Sequence, residues 1–427
     1  MEKLLTELSG GVSRRDFIKA SAVAAVAAVA LPGKVFAAAP DKIKVGLIGC
    51  GGRGNDALSN CLAAASKLGL QMEVVAVGDW FKDRADNAGK RRGVPAERCF
   101  AGPDAYKKVL ATDINLALLV TSPNFRPLHF EAAIAAGKNV FMEKPVAVDP
   151  PGARRIIAAG EVAKTKGLAV VAGTQRRHQT GYRRNQYAVE KGAIGKIVCG
   201  NVWWCGGALW KTDRKPGESD ADYMVRNWVS FTEMSGDHVV EQHVHNLDVA
   251  NWFIGHPPVW ALGFGGRARR KTGDQFDFFS VELNYDDECY VHSMCRQVNG
   301  TYSRVSEHFI GTEGSTWGEG AMKSSKVIDI PQFFEHGGPY VQEHIDLLQS
   351  IIDGKPLNEA RNVAEATMTG IMCRIASYTG QLVKWTDLME NKGSPWFNLA
   401  LSPCPEDFEK GPVTAPKDDV VAVPGRD

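Results

Sequence analysis

The sequence predicts an α/β fold in which a parallel sheet wound with helices precedes an α+β domain with a mostly antiparallel sheet. Three observations carry this. A β-rich run at 43–48 leads directly into a glycine turn and a helix-favouring stretch at 55–67. Apolar strands and helices then alternate through residue 145, as parallel strands joined by helical crossovers require. From residue 168 the runs become short and turn-bounded, at 197–204, 260–267, 276–283, 289–294 and 305–311, the mark of antiparallel strands. Helices are expected at 182–191, 341–352 and 363–379. With 427 residues the chain exceeds what one core usually organises. We therefore divide it into 1–39, 40–165 and 166–427.

Composition narrows the function. Fifty bases against forty-nine acids give a net charge of +1, and no run of either sign is sustained, so no footprint for nucleic acid or an anionic membrane exists. The nine cysteines are scattered without C-x-x-C spacing, against a disulfide scaffold or a cysteine zinc site.

The first 39 residues read as an address. Ser13-Arg14-Arg15-Asp16-Phe17-Ile18-Lys19 precedes an apolar stretch from Ala20 to Leu31, twelve residues where a bilayer span needs about 20. Small residues then offer cleavage after Ala37 or Ala39. The paired arginines with Phe17 and Lys19 resemble a twin-arginine signal, which implies export to the periplasm or its equivalent by the twin-arginine machinery and no membrane anchor after cleavage. Cleavage at residue 39 leaves 45 bases and 46 acids, so the charge argument survives.

The glycine turn after the first strand is Gly49-Cys50-Gly51-Gly52-Arg53-Gly54. In a G-x-G-x-x-G the first glycine permits the tight turn, the second lets backbone approach a pyrophosphate, and the third lets helix pack on strand. A second strand at 73–78 ends in Asp79, placed to accept the ribose hydroxyls of NAD and repel the 2′-phosphate of NADP. Lys82 and Arg84 nearby leave NADP possible. This is a Rossmann domain preferring NAD. Thr121-Ser122-Pro123-Asn124 and Glu143-Lys144-Pro145 follow the next strands at their carboxyl ends, where such sheets bind ligands. A lysine there can donate a proton or a hydrogen bond to a substrate hydroxyl, and Pro145 holds Lys144 extended.

Gly49–Gly54, Asp79, the segment 121–129 and Glu143-Lys144-Pro145 together resemble the Gfo/Idh/MocA oxidoreductase family over nearly the whole chain after the signal. Pro123-Asn124-Phe125-Arg126-Pro127-Leu128-His129 carries two more residues than the usual Pro-Asn-x-x-His. The resemblance implies a dinucleotide held by the glycine turn, by 121–124 and by Glu143 and Lys144. It also implies a carbohydrate or polyol substrate, and a second domain whose open sheet face packs on another subunit of a homo-oligomer (a dimer or tetramer).

A polar stripe completes the candidate site. Residues 235–255 are expected to form one helix, on which His238, Glu241, His245 and Asp248 fall within about 80° of one another. Ionisable groups on an apolar helix are costly unless paired or lining a cleft. Glu241 and His245, four apart, are expected to hydrogen-bond, the carboxylate orienting the imidazole as general base. The family's Asp-x-x-x-His matches Glu241 and His245, with Glu for Asp, and Asp248 matches a further family aspartate. His238, Glu241 and His245 are also ligand-compatible with zinc, but the H-E-x-x-H order is absent and no metal is expected. Arg176, Arg177 and His178 follow a strand end. Arg177, His178, His238 and Asp248 are the substrate candidates, and Trp203, Trp204 and Trp210 are available to stack on a sugar ring. Two reactions fit. One is hydride transfer at a secondary alcohol with a tightly retained NAD, because free dinucleotide is scarce outside the cytoplasm. The other is a redox-neutral glycosidase cycling through oxidation, elimination, addition and reduction.

Overall fold

The computed structural model describes residues 42–286, 289–418 and 420–421, so the signal expected at 1–39 lies outside the described residues. Six parallel strands, β1 (Ile43–Ile48), β2 (Met72–Asp79), β3 (Cys99–Ala101), β4 (Leu116–Leu119), β5 (Asn139–Met142) and β6 (Val170–Ala172), form a sheet in the order β3-β2-β1-β4-β5-β6. The order reverses between β1 and β4, which opens a crevice at their carboxyl ends.

Strand side chains divide between two cores, as a sheet buried on both faces requires. Leu118, Phe141 and Val171 face one way, packing with Leu58 of the helix Gly52–Lys67 and with Leu347 and Leu348 of Pro339–Ile352. Ala117, Leu119, Val140 and Met142 face the other way, against Phe130 of Arg126–Ala135, Ile156 of Pro150–Thr165 and Val363 of Ala360–Thr379. Two consequences correct the expected division at residue 165. The short apolar run at 170–172 is the sixth strand of the parallel sheet, because both its faces find a core. Two helices from the end of the chain also return to cover that sheet.

The second sheet has eight strands: β7 (Ile197–Gly206), β8 (Trp260–Gly266), β9 (Phe278–Asp286), β10 (Cys289–Gln297), β11 (Arg304–Gly311), β12 (Gly314–Trp317), β13 (Met322–Ser324) and β14 (Val383–Lys384). Their order is β13-β12-β11-β7-β10-β9-β8-β14, antiparallel throughout except for the parallel β7–β10 pair. One face packs on Leu247 of Val244–Ile254 and on Met368, Ile371 and Ile375 of Ala360–Thr379. The other is open, and Phe264 stands 67% exposed upon it.

The single helix expected at 235–255 is broken. Thr232–Ser235 ends at Gly236 with φ +81°, and Asp237 follows with φ +74°. The buried Asp237 side chain then accepts from its neighbour's backbone N–H at 2.5 Å and starts His238–Glu241, and a fresh start at Val244 begins Val244–Ile254. Each break resets the helical phase, so spacing counted across them no longer reports which side chains meet.

Candidate active site

A cavity of about 670 Å³ lies at the carboxyl ends of β1, β2 and β4, lined by Gly49–Gly54, Asp79, Thr121 and Ser122 among others. Its floor is built by glycine. Gly49 has φ +100°, and a Cβ there would lie 2.5 Å from the backbone of Val120. A Cβ on Gly54 would lie 1.8 Å from the Gly49 carbonyl oxygen. These two glycines close the turn. At Gly51 and Gly52 a Cβ would meet nothing within 4 Å, so those positions present bare backbone to open space. The helix Gly52–Lys67 starts there with no side-chain cap and no acid in its first turn. Unshared N–H groups and the positive helix end suit a pyrophosphate.

Asp79 accepts the backbone N–H of Cys50 at 2.7 Å and of Phe81 at 2.9 Å. Burial pushes its carboxyl up, and those two N–H groups oppose the shift. The acid thus braces the glycine turn from the cavity wall. Ser122 Oγ is buried there without a partner, and Thr121 Oγ1 lies 3.2 Å from His129 Nδ1. His129 stacks between Tyr106 (4.2 Å) and Phe125 (5.7 Å), and burial drives it down to about 3, so it is neutral.

The expansion at 123–129 has a use. Arg126 is fully buried and donates to the carbonyls of Leu119 at 2.7 Å and Thr121 at 2.6 Å, fixing the end of β4. The turn Pro123–Phe125 therefore shows Phe125 to the cavity. Asn124, expected at the cofactor, instead donates to the Pro403 carbonyl at 3.2 Å, and neither it nor Pro123 lines the cavity.

Glu143 does not line it either; it pairs with Arg53 of the glycine turn. Arg53 also reaches Glu343 at 3.2 Å across 290 residues of sequence. Burial and the neighbouring Glu143 hold the Glu343 carboxyl well above its ordinary range. No local motif announced this clasp.

Lys144 and His245 lie outside the cavity lining, with the Lys144 charge close enough to act on the imidazole. Lys144 Nζ donates to the Glu241 carbonyl at 2.8 Å and to Glu241 Oε1 at 3.1 Å, and both side chains are largely buried. His245 stacks on Trp204 at 5.6 Å. Burial, then Lys144 and Arg176, hold it well below the usual histidine range, so the imidazole is neutral. Glu241 Oε2 and His245 Nδ1 are both buried without a hydrogen-bond partner. The expected Glu241–His245 bond is thus not made; the break between their helices turns the carboxylate to Lys144.

The substrate candidates divide differently. Arg177 grips Asp248 with three hydrogen bonds of 2.8–3.0 Å in a buried pair stacked on Trp252. His178 is clamped between Asp346 (2.6 Å) and Glu359 (3.3 Å), whose charges raise it to about 10 against the opposing effect of burial. His238 leans on Asp237 and the edge of Phe279. None of these four lines the cavity. Arg176 pairs with Glu307, which Tyr182 and Asn246 also bind. Among the described residues no three His, Cys, Asp or Glu side chains gather as a metal-binding group. Trp203 lies on the second sheet under Arg304, whereas Trp210 lines the cavity with Trp80 and Trp228, aromatic walls that carried no sequence signal except for Trp210.

Comparison with known proteins identifies the family. Residues 43–174 match the Gfo/Idh/MocA oxidoreductase family model for its NAD-binding Rossmann fold, and 182–316 match that family's C-terminal domain. Residues 11–30 match the twin-arginine translocation pathway signal. The inositol 2-dehydrogenase of Pseudomonas fluorescens is 33% identical over 218 residues, 50% of this chain and 54% of that protein. The chain thus matches about half the length of its curated relatives. Among solved structures, the aldose–aldose oxidoreductase of Caulobacter crescentus, with glycerol bound, is similar at TM-score 0.62 and 16% identity, over 80% of this chain and 99% of that one. A levoglucosan dehydrogenase, with NADH and levoglucosan bound, gives the same four values. With its two domains matched in order by the two models of one family, the chain belongs to the Gfo/Idh/MocA oxidoreductases.

Proposed function

We propose that this protein is an exported dehydrogenase that oxidises or reduces a secondary alcohol of a sugar, polyol or glycoside and keeps its nicotinamide dinucleotide bound. The observation that carries the reading is the buried Lys144–Glu241 ion pair, whose ammonium acts on the buried His245, together with a glycine-built cavity. The glycine turn, Asp79, Thr121 and Ser122 would hold NAD, with Arg84 in the wall leaving NADP acceptable. When bound, the nicotinamide supplies the hydride acceptor or donor.

The chain's own residues handle the proton. Lys144, fixed by two contacts to Glu241, directs its ammonium as a hydrogen-bond donor to the substrate oxygen. His245, kept neutral by burial and the cations around it, takes the hydroxyl proton during oxidation and returns it during reduction. Glu241 positions Lys144, and Trp204 fixes the plane of the imidazole. The names of the relatives, an inositol dehydrogenase and sugar oxidoreductases, support a polyhydroxylated substrate. The twin-arginine signal supports a site of action outside the cytoplasm, in the periplasm where there is one. A folded passenger then carries its nucleotide with it. The open, partly apolar face of the second sheet suits a homo-oligomer.

Lys144→Met tests the reading. Sugar-driven reduction of the bound nicotinamide, followed by its near-ultraviolet absorbance, should fall about a thousandfold while the circular dichroism is unchanged. Undiminished reduction would remove Lys144 from the reaction. Release of an aglycone from a chromogenic glycoside without net redox would favour the hydrolase instead.

A further inference from the structure

Trp210 belongs to two cavities. Besides the first, it lines a second of about 260 Å³, formed where β7 and β10 end and the segment joining β8 to β9 folds over them. Four bases line this second cavity, Lys211, Arg269, Arg270 and Lys271, against one acid, Asp277. The chain as a whole is nearly neutral, so this is a local concentration of charge.

The acid is already spent on structure. Asp277 Oδ2 accepts the backbone N–H groups of Ala268 (2.5 Å), Arg269 (2.5 Å) and Arg270 (3.0 Å), which wraps the segment around it. Arg270 is held by Gln275 (3.2 Å) and Gln297, and its Nε faces Asp277 Oδ1 at 3.6 Å in an ion pair, so the cations left for a ligand are Lys211, Arg269 and Lys271. Among the described residues Lys211 and Lys271 form no ion pair, and both are exposed. One hydrogen bond ties the cavity wall to the segment that carries Glu241. Gln297 in its wall donates to Gln242 at 2.9 Å, and Gln242 follows Glu241, the partner of Lys144.

We propose that this basic cavity receives the anionic group, a carboxylate or a phosphate, of an acidic sugar whose reacting hydroxyl lies at Lys144 and His245. The proposal rests on the dehydrogenase reading and narrows its substrate class. Cations gathered around a small concave site recognise such groups through charge-assisted hydrogen bonds, which a neutral polyol cannot make.

Calorimetric titration of the full-length protein saturated with NAD, so that the nucleotide's own phosphate site is filled, tests this with glucuronate, glucose phosphate, glucose and inorganic phosphate. At least one acidic sugar should bind about tenfold more tightly than glucose, and the margin should shrink as salt is raised. Comparison of the two acidic sugars tells carboxylate from phosphate. In Lys211→Gln/Lys271→Gln, two exposed changes outside the catalytic cluster, the margin should fall to about threefold or less with glucose unaffected. Equal affinity for acidic and neutral sugars, an unchanged margin in the double variant, or binding of inorganic phosphate with no sugar preference would overturn the proposal. Failure of the dehydrogenase reading looks different: sugars would bind in the same order, but none would reduce the nicotinamide.

Discussion

Two buried ion pairs descend from the same polar stripe, and they have opposite characters. Arg177 and Asp248 satisfy each other with three hydrogen bonds. Lys144 and Glu241 share one ion-pair contact, and Glu241 Oε2 and the nearby His245 Nδ1 are buried without partners. A buried polar atom left unpaired has a cost that a closed pair avoids, and it persists where chemistry uses it. The closed pair is architecture. The open cluster is the reaction centre of the proposed enzyme. Residue type and helical spacing alone ranked all of these residues together; hydrogen-bond completeness separates them.

Removing one member of each pair should show the contrast most sharply. Asp248→Ala strands a buried guanidinium and is expected to cost about 3–5 kcal/mol in denaturant unfolding. Glu241→Gln should barely move the unfolding midpoint, since the main-chain contact to Lys144 remains, while turnover falls about tenfold to a hundredfold. Equal destabilisation by both variants would erase the distinction between the pairs.

The clamp on His178 is a second charge-paired site, with a pH signature. Its pKa, raised to about 10, lies above the unfolded value near 6.5. Its stabilising contribution is therefore full below about pH 6.5 and is lost as pH rises towards 10. His178→Gln is expected to cost about 3 kcal/mol at pH 6, where it leaves Asp346 and Glu359 facing each other unscreened, and clearly less at pH 10. His245 runs the other way. Its depressed pKa makes neutrality part of the folded state, so stability falls as pH drops below about 6.5. A His178→Gln penalty independent of pH would refute the clamp.

How much of this was legible in the sequence follows the range of the interactions. The glycine turn and Asp79 are local features of a strand, a turn and a helix and line the cavity where the spacing predicted, whereas Lys144 follows β5 as expected but lies outside that lining. The second sheet was likewise readable from turn-bounded runs. Partnerships were not. Arg53 meets Glu343 across 290 residues, and nothing near either residue says so. The break at Gly236 and Asp237 is carried by one glycine and one strained aspartate inside an apolar segment, too weak a signal to stop an expected helix. Once that phase was lost, the Glu241–His245 pairing failed with it. The return of the helices Pro339–Ile352 and Ala360–Thr379 to the first sheet depends on tertiary packing that periodicity cannot address.

The same division by completeness applies inside the glycine turn, and it yields the smallest effect. Gly54→Ala would drive a methyl against the Gly49 carbonyl at 1.8 Å, so the turn itself must deform and stability should fall. Gly52→Ala meets nothing within 4 Å and sits at the first position of a helix, outside the positive-φ set. Replacing glycine there narrows the unfolded ensemble without straining the native one and should stabilise the apoprotein by about 0.5 kcal/mol. Its methyl nevertheless projects into the space that bare backbone leaves for a pyrophosphate, so dinucleotide affinity should drop while the unfolding midpoint rises slightly. Thermal melts with and without added NAD measure both quantities on one sample. A Gly52→Ala protein that gains stability and still binds NAD at full strength would show that the pyrophosphate does not approach the turn at this residue.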